Sequence, residues 1–220
     1  MYNPGLFKQE DVTVLRRWIR QYSFGILVTS SQGQLQATHL PFSATECTPA
    51  GEWKLVGHLA RANAQWRAFD GESEAMVIFS GPHAYISPTL YGDPADLVPE
   101  WNYSGTGSEQ RIKEPALPTW NYVAVHVYGT PRILEDRRAV LARQAATYEK
   151  DWKLGNLPSE FVARKEARVV AFEIPVARIE GKAKLGQRQQ PDERHRVAAA
   201  LAEHENSEAK ALAAMMRDIR

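Results

Sequence analysis

The chain has a single cysteine, Cys47, so no disulfide can form within it. One thiol in a chain of 220 residues is typical of a reducing compartment, and we expect a cytoplasmic protein. No apolar run approaches the roughly 20 residues that cross a bilayer, and the first residues lack the basic and apolar regions of a signal peptide. The sequence therefore predicts a soluble protein with no membrane partner.

An excess of charge of one sign is also missing. Lysine and arginine together number 27 and aspartate and glutamate 26, which gives a formal net charge of +1. A protein that binds DNA through its phosphates is usually more basic than this. No helix-turn-helix pattern stands out either. DNA therefore remains a possible partner, but the net charge does not support DNA binding.

The motifs of several common enzyme classes are absent. The sequence contains no GxGxxG, P-loop, HExxH or CxxC. None of its histidines pairs with another at the spacing of metal ligands, so no metal site is predicted. His39, His58 and His126 fall in predicted strands and are the candidates for a general base if the protein is an enzyme.

Short β-rich segments separated by turn signals cover most of residues 24–179. Two of them, 75–79 and 83–87, flank a predicted turn at 80–82. The pattern gives about seven strands and four helices with few helical crossovers, which favours an antiparallel barrel flanked by helices. We expect one domain over 1–220 that ends in a single Ala-rich helix at about 191–219.

The segment 53–69 changes from a strand pattern to a helix pattern. Apolar and polar residues alternate up to Ala60, and Asn63 is a good N-cap for a short helix at about 63–69. Arg61 comes just before the helix start. Backbone N–H groups at a helix start and a guanidinium can both bind a phosphate. The alternative is that Arg61 is a surface residue and His58 a hydrogen-bonded strand residue.

A short repeat lies in the irregular region 88–118. The sequence Val-Pro-Glu-Trp-Asn-Tyr at 98–103 recurs as Leu-Pro-Thr-Trp-Asn-Tyr at 117–122. Only the second copy continues into an alternating strand pattern, so we expect that copy alone to be anchored in a sheet.

A basic segment follows the last predicted strand. Lys182 and Lys184 alternate, and Gln187 comes three residues later. Two cations and an amide at this spacing can approach a phosphate or another anion. The alternative is a solvated basic loop.

Six segments are spread over nearly the whole chain: MYNP at 1–4, ATHLPF at 37–42, GHLARAN at 57–63, IFSGPHAYISP at 78–88, PTWNYVAVH at 118–126 and IEGKAKLGQ at 179–187. Together and in this order they resemble the PaiB-type FMN-binding negative transcriptional regulators, a family related to the split-barrel flavoproteins such as pyridoxamine-phosphate oxidase. The resemblance implies a mainly β fold with flanking helices, an FMN-binding split β-barrel. It also implies a homodimer with FMN at the subunit interface.

The resemblance assigns residues to the cofactor by their place in these motifs. The strand with Thr38, His39 and Leu40 would lie along the isoalloxazine. His58 is assigned to the cofactor too, and the turn after it would meet the phosphate through Arg61, Ala62 and Asn63. A further set, contributed by the partner subunit, would close the site: Trp120, Asn121, Lys184 and Gln187.

The chain departs from the family pattern in two places. The family usually has serine and asparagine at the positions of Gly186 and Arg188. Residues 99–117 look like an insertion, which is read as a longer surface loop or as a lid over the flavin.

Three functions are compatible with the sequence. The resemblance implies an FMN-binding protein that acts in transcription regulation as a repressor. A second hypothesis is a flavin-dependent oxidoreductase, which would reduce or oxidise a small substrate with a nicotinamide donor. Split barrels host such chemistry, and fold alone does not decide function. A third is a degenerate split barrel that dimerises without flavin, which the residues at Gly186 and Arg188 suggest.

Overall fold

A computed structural model describes residues 1–46, 52–91 and 117–219. Cys47 and the first Trp-Asn-Tyr copy lie outside the described residues, as does all but the last residue of the predicted insertion. The described residues form a mainly β protein with flanking helices, which confirms the predicted fold class.

The strands in the described part of the chain form two sheets. The strands of the first sheet are β1 (Lys8–Gln9), β2 (Phe24–Ser31), β3 (Gln34–Pro41), β6 (Ala75–Ile86), β7 (Thr119–Gly129) and β10 (Arg178–Lys184). They lie in the order β1-β10-β7-β6-β2-β3. The strands of the second sheet are β4 (Ser43–Glu46), β5 (Trp53–Ala60), β8 (Arg132–Leu134) and β9 (Val169–Pro175). Their order is β4-β5-β9-β8.

The predicted number of strands was too low, and one predicted turn was wrong. The strands β1 and β4 have two and four residues, too few to show a period of two, and β10 was predicted only as a basic segment after the last strand. Residues 80–82 do not form a turn, because β6 runs without a break from Ala75 to Ile86. The φ that proline fixes is compatible with an extended chain, so Pro82 alone does not end a strand.

The chain divides into two compact units. Unit 1 consists of Met1, Gln9–Gly81 and Ala124–Gly181. Unit 2 consists of Tyr2–Lys8, Pro82–Val123 and Lys182–Arg220. The expectation of one domain over 1–220 stays a prediction.

Unit 1 is organised around aromatic side chains between strands. The ring of Phe42 lies edge-on to Phe79 at 5.6 Å and to Phe172 at 6.1 Å. Gly57 permits this packing, because a Cβ there would lie 3.1 Å from the Phe172 ring and 3.2 Å from Leu40. Such edge-to-face contacts add to the free energy gained by burying the rings.

Three α-helices flank the strands of unit 1 in the described residues: α1 (Val12–Gln21), α2 (Arg137–Tyr148) and α3 (Ser159–Glu166). Asp11 caps α1 by accepting hydrogen bonds from the backbone of Thr13 and Val14, and Asp136 caps α2 by accepting from Ala139. These caps satisfy N–H groups that a helix start leaves without partners.

Unit 2 contains two C-terminal helices, α4 (Pro191–Ala202) and α5 (Ser207–Arg217), so the single helix predicted at 191–219 is wrong. Asn206 starts the second helix, because its side chain accepts a hydrogen bond from the backbone N–H of Glu208 at 2.7 Å. The apolar residues continue at helical spacing across the break, which hid it. Among the described residues, no helix combines the length and hydropathy needed to span a membrane.

Candidate functional site

The structure gathers the cofactor residues predicted from the sequence into separate groups. Thr38, Arg61 and Asn63 belong to unit 1, and Asn121, Lys184 and Gln187 belong to unit 2. His58 is also in unit 1 but makes different contacts. Each group is built by its own strands and turns.

Asn63 connects the turn after β5 to β3. Its Nδ2 donates a hydrogen bond to Thr38 Oγ1 at 2.9 Å, and its Oδ1 accepts one from the backbone N–H of Gln65 at 3.0 Å. Asn63 is therefore the N-cap that the sequence predicted. The helix it caps is a 3-10 helix of five residues, Ala64–Ala68, and so short a helix has no appreciable macrodipole. A phosphate at this turn would therefore be bound by side chains and not by a helix dipole.

Arg61 is exposed, and its guanidinium is held by the backbone that leads into β9. Its Nε donates to the carbonyl of Ala167 at 3.0 Å, and its Nη2 donates to the carbonyl of Val169 at 3.3 Å. In the described part of the chain, Nη1 has no protein partner. The guanidinium is thus fixed in place with donors left over for an anion.

Thr38, His39 and Leu40 are successive residues of β3 with different surroundings. Thr38 is half-buried and accepts from Asn63, which leaves its own hydroxyl hydrogen available to donate. The His39 side chain is exposed, and its ring centroid lies 6.3 Å from that of Phe24. Leu40 is buried in the core beside Gly57. Of these side chains, only those of Thr38 and His39 can reach a bound ligand.

His58 takes part in a hydrogen-bonded pair with a helix. Its Nδ1 lies 2.5 Å from Gln144 Oε1 on α2. Because neighbouring residues of a strand point to opposite faces, His58 faces away from Gly57 and from the core residues Phe42 and Phe172. His58 is therefore the hydrogen-bonded strand residue of the alternative interpretation.

Gln65 was not recognised from the sequence, although it anchors the turn that carries Arg61 and Asn63. Its buried Nε2 donates toward the carbonyls of Leu27 and Gln36, both at 3.2 Å, and toward Thr29 Oγ1 at 3.1 Å. A buried polar side chain needs such partners to offset its loss of water. Its only sequence signal is the N-cap Asn63 two residues earlier, and that signal does not predict contacts with the carbonyls of Leu27 and Gln36.

In unit 2, Trp120 forms an exposed aromatic cluster with residues of β6. Its ring centroid lies 6.0 Å from that of His83 and 6.1 Å from that of Tyr85. Trp120 is 53% exposed and Tyr85 is 50% exposed. Rings arranged in this way can stack on a planar ligand or on another protein surface.

The neighbouring residues of unit 2 form a pocket of about 380 Å³. Asn121 and Lys184 line it, and the Lys184 ammonium donates a hydrogen bond to Thr119 Oγ1. Gln187 closes the adjoining loop, because its Oε1 accepts from the Leu185 N–H at 2.8 Å and its Nε2 donates to the Ala183 carbonyl at 2.5 Å. Gly186 has a φ of +87°, a conformation that favours glycine over the serine of the family pattern.

The charge of this pocket is positive. Lys182, Lys184 and Arg188 line it, whereas no carboxylate does among the described residues. Burial lowers the pKa of Lys184 from its usual value, and the nearby positive charges of Lys182 and Arg188 lower it further. An anion in the pocket would relieve this repulsion. Tyr2, Phe7, Tyr91 and Tyr122 supply aromatic walls.

Known sequences match this chain over most of its length. A family model with the description "Putative FMN-binding domain" matches residues 1–107 and 106–178. The "Protease synthase and sporulation protein PAI 2" of Bacillus subtilis is 31% identical over 226 residues, which cover 99% of this chain and 97% of that protein.

Comparison with solved structures supports the fold. A structure described as a "putative 5-nitroimidazole antibiotic resistance protein" from Bacteroides thetaiotaomicron has a TM-score of 0.54 at 15% identity and covers 80% of this chain and 85% of that chain. The flavocytochrome Anf3 from Azotobacter vinelandii has a TM-score of 0.53 at 12% identity and covers 82% of this chain and 70% of that chain. Identities this low show a shared fold and carry no statement about activity.

Proposed function

Because the chain belongs to the FMN-binding domain family and is similar over its full length to a PaiB-type protein, we propose that it binds FMN with the phosphate at Arg61 and Thr38. The observation that carries this proposal is the hydrogen bond from Asn63 to Thr38, which ties β3 to the Arg61 turn. Asn63 uses both ends of its amide within the protein. It is therefore a positioning residue, and Arg61 and Thr38 are the donors to the phosphate.

The first experiment asks whether the purified protein retains flavin. FMN is added, the protein is desalted, and the visible absorption spectrum is recorded. We expect flavin bands that correspond to about one FMN per subunit, as a specific site would retain. A colourless protein would support the degenerate split barrel without flavin.

We predict that Arg61→Ala weakens FMN binding about tenfold, roughly the contribution of a charge-assisted hydrogen bond. The matched control is Arg67→Ala, which removes an exposed cation from the same 3-10 helix region, 5.7 Å from the Trp66 ring. Flavin fluorescence titration gives both dissociation constants, and thermal unfolding without FMN checks that each variant is folded. If the two variants bind FMN with equal affinity, Arg61 does not contact the phosphate.

The homodimer with FMN at the subunit interface is part of the same proposal. Exposed aromatic side chains support it, since Phe24 is 65% exposed in unit 1 and Trp120 is 53% exposed in unit 2. In such a dimer, Trp120 and Lys184 are proposed to close the site from the partner copy. Asn121, which is 1% exposed, and Gln187, whose amide bonds to its own loop, are proposed to hold this part of the site in position. Light scattering of the eluting protein, with and without FMN, measures the mass in solution.

Repression of transcription in the cytoplasm is the proposed biological role, by similarity to the PaiB-type family. A net charge of +1 gives direct DNA binding no support. A gel-shift assay at low and moderate salt decides between direct and indirect action. Binding led by phosphate contacts weakens steeply as salt rises, whereas an indirect regulator shows no shift at either salt concentration.

A flavin-dependent oxidoreductase is the second candidate function, and the positive pocket of unit 2 favours it. In the first function Lys184 contacts FMN, whereas in this one the pocket takes an anionic substrate. We predict that Lys184→Met distinguishes them. If Lys184 binds the cofactor, FMN affinity falls about tenfold. If it binds a substrate, FMN affinity is unchanged and the KM for an anionic substrate rises, measured as flavin-dependent oxidation of a nicotinamide donor.

A further inference from the structure

Unit 1 contains a cleft of about 480 Å³ that has no residue in common with the Arg61 and Thr38 site. One wall is formed by α2, whose residues Leu141, Gln144, Ala145 and Tyr148 follow the spacing of a single helix face. The opposite wall comes from β3 and β5, through Pro41 and His58. Two residues beyond α2, Glu149 and Trp152, complete the lining.

The hydrogen bonds of Gln144 determine which nitrogen of His58 carries the proton. The Pro41 carbonyl can only accept, so the group of Gln144 that lies 3.0 Å from it is the Nε2 amide donor. The Oε1 of the same side chain must then accept from His58 Nδ1 at 2.5 Å. In the neutral imidazole, Nδ1 is therefore the protonated nitrogen, and Nε2 carries a lone pair.

That lone pair is available to a ligand. In the described residues His58 Nε2 has no protein partner, and His58 lines the cleft. Gln144 is buried, which keeps the amide and the imidazole in this arrangement. The cleft thus offers a fixed hydrogen-bond acceptor to a donor group.

The other residues of the cleft favour a ligand that carries a positive charge and an apolar group. Glu149 is the one charged residue in the described lining, and its carboxylate forms no ion pair within the described chain. It lies where α2 ends, and helix C-termini attract cations. Tyr148 and Trp152 are 58% and 40% exposed, and the faces of such rings also attract cations. Tyr148 is held in place by a 2.7 Å hydrogen bond between its hydroxyl and Ser23 Oγ.

We propose that this cleft binds a small organic ammonium ion with an aromatic or apolar body. The ammonium donates to His58 Nε2 and pairs with Glu149, while its apolar part contacts Leu141, Ala145 and Trp152. Anions are disfavoured by Glu149, and neutral alcohols lose the ion pair and the cation–π contribution. Nothing in this proposal depends on FMN.

The test uses three probes of similar shape on the full-length chain: 2-phenylethylamine, 2-phenylethanol and phenylacetate. Saturation-transfer NMR and calorimetry measure their binding at neutral pH. We expect the amine to bind about tenfold more tightly than the alcohol, from one exposed ion pair and one cation–π contact, and phenylacetate to bind more weakly still. Equal binding of amine and alcohol, or no binding of the amine, would overturn the proposal.

Variants locate the site. Glu149→Gln is expected to abolish the preference for the amine over the alcohol, whereas Glu160→Gln, at an exposed carboxylate in the first turn of α3, leaves it unchanged. Trp152→Ala is expected to weaken amine binding and to leave the mass in solution unchanged. A change in that mass with Trp152→Ala would instead identify the cleft as a surface between copies of this chain and would overturn the proposal.

Discussion

Gly129→Ala is expected to destabilise the protein by about 3 kcal/mol or more, because the new methyl group has no room. Gly129 is the last residue of β7, and a Cβ there would lie 2.0 Å from the carbonyl oxygen of Pro175 and 2.8 Å from Ile174 Cγ2. The nearest atom belongs to the backbone of β9, which cannot rotate away as a side chain would. The strand end must shift to accommodate it.

Equilibrium urea unfolding measures the loss for Gly129→Ala. The matched control is Gly155→Ala, since a Cβ at Gly155 meets nothing within 4 Å. An exposed substitution of this kind changes the free energy of unfolding by about 0.5 kcal/mol or less. A loss of similar size in both variants would show that β7 and β9 separate easily at this point, and the close approach would then not constrain the fold.

The sequence predicted those parts of the fold that depend on local pattern. The strands β2 and β3 lie where β-rich segments flank a turn signal, β7 shows the alternation predicted after the second Trp-Asn-Tyr copy, and Asn63 caps the turn that follows β5, as expected. The break between α4 and α5 was missed because the apolar residues keep their helical spacing on both sides of it. The strands β1 and β4 were missed because a pattern needs several residues to appear, and β10 was missed because four of its seven residues are charged.

Contacts between distant segments could not be predicted in the same way. Asn63 bonds Thr38 across 25 positions, and His58 bonds Gln144 across 86 positions. No local signal marks such pairs, so His58 was grouped with the cofactor residues by its neighbours in sequence. The family resemblance predicted FMN as the cofactor. This is confirmed by the family model described as "Putative FMN-binding domain", which matches most of the chain. The side-chain contacts that shape the proposed site came only from the structure.

Gln65→Met is expected to destabilise the protein by about 2–3 kcal/mol, because methionine has nearly the same shape but no donor. The buried amide hydrogens of Gln65 serve acceptors on β2 and β3, namely Leu27 O, Thr29 Oγ1 and Gln36 O. Their loss leaves buried backbone carbonyls without this donor. Since Gln65 Oε1 is buried without a hydrogen-bond partner in the described chain, its removal offsets part of the cost.

The same variant tests how stability and cofactor binding are connected. Gln65 lies two residues after Asn63, so its side chain anchors the turn from which Arg61 and Asn63 extend. If that turn binds the FMN phosphate, Gln65→Met weakens FMN binding even under conditions where the variant is fully folded, because the donors lose their fixed position. Gln34→Met, at an exposed residue of β3, is the matched control and should retain both stability and affinity. A variant with lower stability but unchanged FMN affinity would place the phosphate elsewhere, since a loosened turn could not hold it equally well.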